Sequence, residues 1–211
     1  MNNYYKSLSK LIWRLLTLSI LLVFIQGCGG EKQLKRLSSE ATILTFGDSL
    51  TAGVGTEKQH SYPSVLAKLS NRKVVNAGIS GEVTELGLAR LGDVIDETNP
   101  ALMILLEGGN DILRNHNLAK TKKNLASMIS LAKQKGVQLV LIGVPKKQIF
   151  SDAAPMYKEL AEEHKLVFDG KLISGLLRKR SYKSDMVHFN KAGYQKMAEE
   201  IHQLLLENGA L

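Results

Sequence analysis

Four short runs, residues 41–46 (ATILTF), 72–77 (RKVVNA), 101–106 (ALMILL) and 137–144 (VQLVLIGV), are apolar or β-branched at half of their positions or more, and each stops at or near a glycine or proline. Runs of this kind, without strict alternation, fit strands buried on both faces. Stretches of helical periodicity separate them. Behind Tyr62-Pro63 come Val65, Leu66 and Leu69; a second stripe holds Val83, Leu86, Leu88, Leu91 and Val94-Ile95 and stops at Asn99-Pro100; a third holds Leu125, Met128, Ile129 and Leu131-Ala132 and stops at Gly136. Strand, helix, strand, helix is the order of a covered parallel sheet, because parallel neighbours need a crossover. Residues 153–164 read as another helix, 166–168 as a short fifth strand, 172–177 as a brief helix, and the chain ends in a helix with Tyr194, Met197, Ile201 and Leu204-Leu205 inside. The expected fold class is therefore α/β: a three-layer α/β/α sandwich around a mainly parallel sheet of about five strands.

The first 27 residues read as a leader. Lys6, Lys10 and Arg14 precede an apolar run, residues 15–25, that is short for a membrane span but suits a signal-peptide core. Gln26-Gly27-Cys28 follows, and Cys28 is the sole cysteine. Ile25, Gly27 and Cys28 resemble the lipobox of bacterial lipoproteins, which implies cleavage before Cys28 and its acylation; an uncleaved anchor, ordinary cleavage or a buried cysteine are the alternatives. Residues 28–40, polar and basic, read as the lipidated cysteine and a tether, and 41–211 as the folded domain. Gly29-Gly30 lacks an inner-membrane retention aspartate, so the expected location is the periplasmic face of an outer membrane, with the lipid as membrane partner. One cysteine also excludes an intramolecular disulfide.

The formal charge of +8 falls by three if the leader is removed. A modest positive excess suits anionic surroundings but does not define a nucleic-acid protein. Arg178-Lys179-Arg180 has no interleaved aromatic platform, and aromatics make up only 6% of the chain.

The chemistry-bearing residues cluster where strands end. Asp48-Ser49 follows the first strand, and Gly53 and Gly55 prevent a long helix there. Ser49 could attack a carbonyl if a histidine came near; equally, Asp48 and Ser49 could cap a turn. Ser80-Gly81 follows the second strand, and Glu107-Gly108-Gly109-Asn110-Asp111 the third, where Asn110 could present an amide to a ligand or serve a turn. Glu107 could form a buried hydrogen bond or pair with a helix cap. Asp185 and His188 are three apart before the last helix. A tight turn there could bring the aspartate to one imidazole nitrogen while the other faces Ser49. His116 lies close enough in sequence to Asn110 to touch a substrate. The remaining histidines have no metal-ligand spacing, no phosphate or dinucleotide loop is present, and neither metal nor cofactor is expected.

Four blocks, Phe46-Gly47-Asp48-Ser49-Leu50, Asn76-Ala77-Gly78-Ile79-Ser80-Gly81-Glu82, Gly108-Gly109-Asn110-Asp111 and Asp185-Met186-Val187-His188, resemble in order those of the SGNH hydrolase superfamily, the GDSL esterases and lipases. The resemblance covers residues 41–206 and is to the thioesterase, arylesterase and lysophospholipase branch. It implies a flavodoxin-like fold and a Ser49, His188, Asp185 triad. It also implies an oxyanion hole of the Ser49 and Gly81 amides with the Asn110 side chain, and Asp48 as support for the nucleophile turn. The expected activity is hydrolysis of small-molecule or lipid-like acyl esters (aryl ester, thioester or lysophospholipid) by a monomer. Alternatives are O-deacetylation of envelope carbohydrate or peptidoglycan, and a non-catalytic envelope-binding lipoprotein. Two features depart from the branch: Phe189 stands where proline is common, and the connection from Pro145 to Tyr157 is short.

Overall fold

A computed structural model describes residues 33–146 and 152–211. Cys28 and the leader lie outside the described residues, as does part of the connection after Pro145. Five parallel strands form one sheet: β1 (Thr42–Gly47), β2 (Lys73–Gly78), β3 (Leu102–Leu106), β4 (Gln138–Ile142) and β5 (Val167–Asp169). Their order is β2-β1-β3-β4-β5. Every residue of β3 is buried, whereas edge strand β2 has none that is. This explains why the β3 run is unbroken leucine, isoleucine and methionine while Lys73 and Asn76 are tolerated in β2.

The helices lie in two layers. Helix α1 (Ser49–Ala52) is a single turn after β1; α2 (Tyr62–Ser70) leads to β2, and α3 (Thr84–Thr98) to β3. Then come α4 (Gly109–Leu113), α5 (Leu118–Gln134), α6 (Pro155–His164), α7 (Leu172–Leu177) and α8 (Lys191–Glu207). Helix α2 packs on α8, and α8 on α7; α3 packs on α5, and α5 on α6. The expected α/β/α sandwich is the observed one. Most element ends fall within two residues of expectation. Two shifts reach two residues: β4 stops at Ile142 rather than 144, ahead of the Pro145 bridge to Ala153, and the helix expected from 153 begins at Pro155.

The sequence reading also misses the packing of the expected tether. Leu34 and Leu37 are buried, and their N–H groups donate to the Asn208 and Ala210 carbonyls at 3.1 and 2.8 Å. Lys35 exchanges two hydrogen bonds with the Gln138 side chain. The compact unit thus begins at Gln33, not near Ala41. Two leucines three apart suffice to dock a segment whose other side chains are polar, since each buried leucine contributes about 1.5–3 kcal/mol.

The chain runs from β1 outward to β2, then back across to β3 on the other side. Between β1 and β3 the direction reverses, and the crevice beyond their carboxyl ends is where open α/β sheets hold ligands.

Candidate active site

Ser49 is the first residue of α1, immediately beyond β1. Asp48 caps it: the Leu50 N–H donates to Asp48 Oδ1 at 3.0 Å. The cap comes from Asp48 alone, and the Ser49 hydroxyl beside it is left to face the crevice. Gly47 has no substitute here, since a Cβ would collide with the Leu106 carbonyl and the Thr51 side chain. That close approach lets the Ser49 turn sit against the end of β3.

His188 comes from the loop before α8. Its Nδ1–H donates to Asp185 Oδ2 at 2.8 Å, and Ser49 Oγ donates to its Nε2 at 3.0 Å. Asp185 Oδ1 accepts the Val187 and His188 N–H groups. Burial raises the Asp185 pKa, but these two amides and the imidazole outweigh it and hold the carboxyl at about 2. The carboxylate stays ionised and only accepts, so Nδ1 keeps the proton and Nε2 is left basic toward the serine.

Phe189 anchors this loop. It is fully buried, packs edge-on to Tyr194 at 5.6 Å and bridges Lys183, while Ser184 N–H donates to the His188 carbonyl. An aromatic anchor thus holds the turn without proline.

The second and third blocks face the same crevice. Gly81 has φ 79°, a left-handed conformation that suits glycine. Asn110 Nδ2 donates to the Glu82 carbonyl at 2.8 Å and lies 3.5 Å from Asp48 Oδ2. Among the described residues, the Ser49 and Gly81 amides make no hydrogen bond. Asp111, next to Asn110, takes the Thr84 N–H at 2.9 Å and the Thr84 and Thr121 hydroxyls, tying α4 to α3 and α5.

Ser49, Gly81, Asn110 and His188 line one cavity of about 330 Å³. Leu50, Ile112, Leu113, Val144, Ile173 and Leu177 make its wall largely apolar. Such a cavity can take an apolar group beside a nucleophile and three N–H donors. The structure brings together every triad and oxyanion candidate. His116 stands apart from this wall, with Nδ1 3.9 Å from Asp111 Oδ1.

Four buried acids, Asp48, Glu82, Glu107 and Asp111, lie close to one another, and Asp48 also lines the cavity. Burial pushes Asp48 up to about 6 against the pull of the Leu50 N–H and His188. Glu107, raised by burial and then by Asp48 and Glu82 to about 10, stays protonated at neutral pH. Its Oε1 accepts the Gly108 N–H at 3.3 Å, and Oε2 has no partner among the described residues. Sequence reasoning missed the wall residues and Arg90, which clasps Glu82. The wall residues are spread over segments that only the fold brings together, whereas Arg90 offered a signal as a cation within the apolar stripe of α3.

A parallel sheet with a serine beyond its first strand and a histidine from its last loop defines an α/β serine hydrolase. The family model described as GDSL-like Lipase/Acylhydrolase matches residues 45–196, and the chain belongs to that family, whose members hydrolyse esters. It is similar to esterase TesA of Pseudomonas aeruginosa, 34% identical over 142 residues that span 65% of this chain and 69% of the relative. It is also similar to an arylesterase of Vibrio mimicus, 37% identical over 59% of this chain and 67% of the relative. A crystal structure of TesA superposes with a TM-score of 0.69 and 28% identity, covering 78% of this chain and 97% of that one.

Proposed function

We propose that the protein hydrolyses acyl esters through a Ser49 acyl-enzyme. The observation that carries this reading is the continuous hydrogen-bond chain from Asp185 through His188 to Ser49, with the Ser49–His188 contact at 3.0 Å. As Ser49 Oγ attacks the ester carbonyl, its proton passes to His188 Nε2, and Asp185 stabilises the imidazolium. The Ser49 and Gly81 amides and the Asn110 Nδ2–H meet the charge on the carbonyl oxygen; one such donor contributes about 2.7–4 kcal/mol. The tetrahedral intermediate collapses, His188 gives its proton to the leaving alcohol, and a water activated by His188 releases the acid. Asp48 holds the turn and does no chemistry.

The apolar wall supports an acyl group longer than acetyl, of aryl ester, thioester or lysophospholipid type. The relatives named esterase and arylesterase support the same class. A shallow polar cleft would have favoured a carbohydrate deacetylase. We infer further that residues 1–27 are removed, that Cys28 is acylated, and that the enzyme works as a monomer on the periplasmic face of an outer membrane. The residue pattern ahead of Cys28 supports the anchor.

Hydrolysis of p-nitrophenyl acetate, butyrate, octanoate and palmitate, with Ser49→Ala as control, tests the reading. Ser49-dependent turnover greater on butyrate or octanoate than on acetate is expected. Activity confined to acetate would favour the deacetylase, and none on any ester the non-catalytic lipoprotein.

A further inference from the structure

Beneath the oxyanion donors lies an ion pair that takes no part in proton transfer. Glu82 follows Gly81, and its carbonyl is the acceptor that holds Asn110 Nδ2 at 2.8 Å. Its carboxylate, 3% exposed, is gripped by Arg90 of α3: Nε donates to Oε1 at 2.7 Å, and Nη2 donates to Oε2. Nη2 also donates to the Ala77 carbonyl at 2.8 Å, and the guanidinium lies 4.0 Å over the Phe46 ring. Phe46 and Ala77 are register partners at the ends of β1 and β2. One guanidinium therefore joins the strand end that leads to Ser49, the strand end that leads to Gly81, and Glu82 itself.

The pair matters for direction more than for energy. Desolvation offsets much of the attraction in a buried ion pair, but a planar guanidinium fork fixes the plane and position of the carboxylate it holds. The Asn110 amide can present either NH₂ or oxygen to the cavity. With the Glu82 carbonyl where it is, only the NH₂ edge can face it, because Oδ1 would meet another oxygen. One Nδ2–H is held by the Glu82 carbonyl at 2.8 Å, and the second makes only a long contact of 3.5 Å to Asp48 Oδ2, which a substrate oxyanion in the cavity can replace. If residue 82 slips, the amide can turn and bring an acceptor toward the developing negative charge.

We propose that Arg90 and Glu82 are positioning residues for the oxyanion hole: through the Glu82 carbonyl they aim the Asn110 amide. The inference rests on the reading of Asn110 as an oxyanion donor.

The test is a double-mutant cycle on p-nitrophenyl butyrate hydrolysis with Arg90→Ala, Asn110→Ala and the double variant. Arg90→Ala is expected to lower kcat about tenfold with KM changed less than about twofold, as for a misaimed catalytic group. In the Asn110→Ala background the same change is expected to cost less than about threefold. Added guanidinium ion is expected to restore part of kcat to Arg90→Ala and none to Asn110→Ala. An equal loss in both backgrounds, or full kcat in folded Arg90→Ala, would overturn the role of Arg90. Should Arg90→Ala fail to fold, Arg90→Lys, which cannot form the fork, carries the same cycle with the same criteria. Full kcat in Asn110→Ala would instead overturn the oxyanion assignment on which the inference rests.

Discussion

Ser49 stands on a turn supported from inside the protein, whereas His188 stands on a loop supported near its surface. Beneath Ser49 are Asp48, 3% exposed, a glycine that cannot be replaced, and the wholly buried ends of β1 and β3. Around His188, the Asp185 side chain is 52% exposed and Met186 is 74% exposed. Local hydrogen bonds close that loop, with a single deep anchor in Phe189. The nucleophile is thus positioned by the core, and the base by a small motif hung from it. Substitutions on the two sides should separate activity from stability differently.

The largest effect is expected at His188. His188→Ala should lower kcat by about 10⁴-fold or more, since removing the base disables the triad as a unit. Its melting temperature should stay near that of the wild type; a large drop would show the loop to be part of the stabilising core.

Phe189→Ala should behave in the opposite way. Removing a fully buried aromatic costs about 3–5 kcal/mol, which urea unfolding would measure. Loss below about 1 kcal/mol would mean that the loop holds its shape without the anchor and would break the contrast drawn above.

On the nucleophile side, Asp48→Ala should cost about 0.5–2 kcal/mol through the lost cap on α1 and lower kcat as well, because the turn carries Ser49. Full activity with reduced stability would separate the cap from the nucleophile's position.

The smallest effect on activity should be seen at Glu107, which does not line the cavity; its signature lies in the pH dependence of stability. Its carboxyl stays protonated in the folded protein up to about 10, whereas unfolded it ionises near 4.5. The folded state therefore binds the extra proton, and stability falls as pH rises between these values. Asp48, raised to about 6, contributes in the same sense only below that pH. Glu107→Gln should flatten the decline between about pH 6 and 9. An unchanged slope in urea-unfolding measurements would contradict a neutral Glu107.

The two regions also differ in how well their sequences announce them. Strands β1 and β3 were legible because burial on both faces leaves an almost unbroken apolar run, and Gly47 and Gly108 mark where those runs turn. Residues 185–188 carried a short-range signal, since an aspartate three before a histidine can close a turn. The meeting of His188 with Ser49, 139 positions away, follows from topology, and four blocks in order made it an expectation. What escaped the sequence was set by packing between distant segments. Residues 33–40 look like a polar tether until Leu34 and Leu37 meet the tail after α8. Arg90 stands out in sequence only as a cation within an apolar stripe, and its partners Glu82, Ala77 and Phe46 come from three other segments that the fold brings to it.

The central claim is that Ser49 is the nucleophile activated by His188. Its most direct test is intact-mass analysis after treatment with a serine-directed fluorophosphonate, for the wild type and for Ser49→Ala and His188→Ala. One adduct per wild-type chain, mapped to the Ser49 peptide, is predicted, with no adduct on Ser49→Ala and greatly slowed labelling of His188→Ala. Labelling at another residue, or equal labelling of folded Ser49→Ala, would contradict the account.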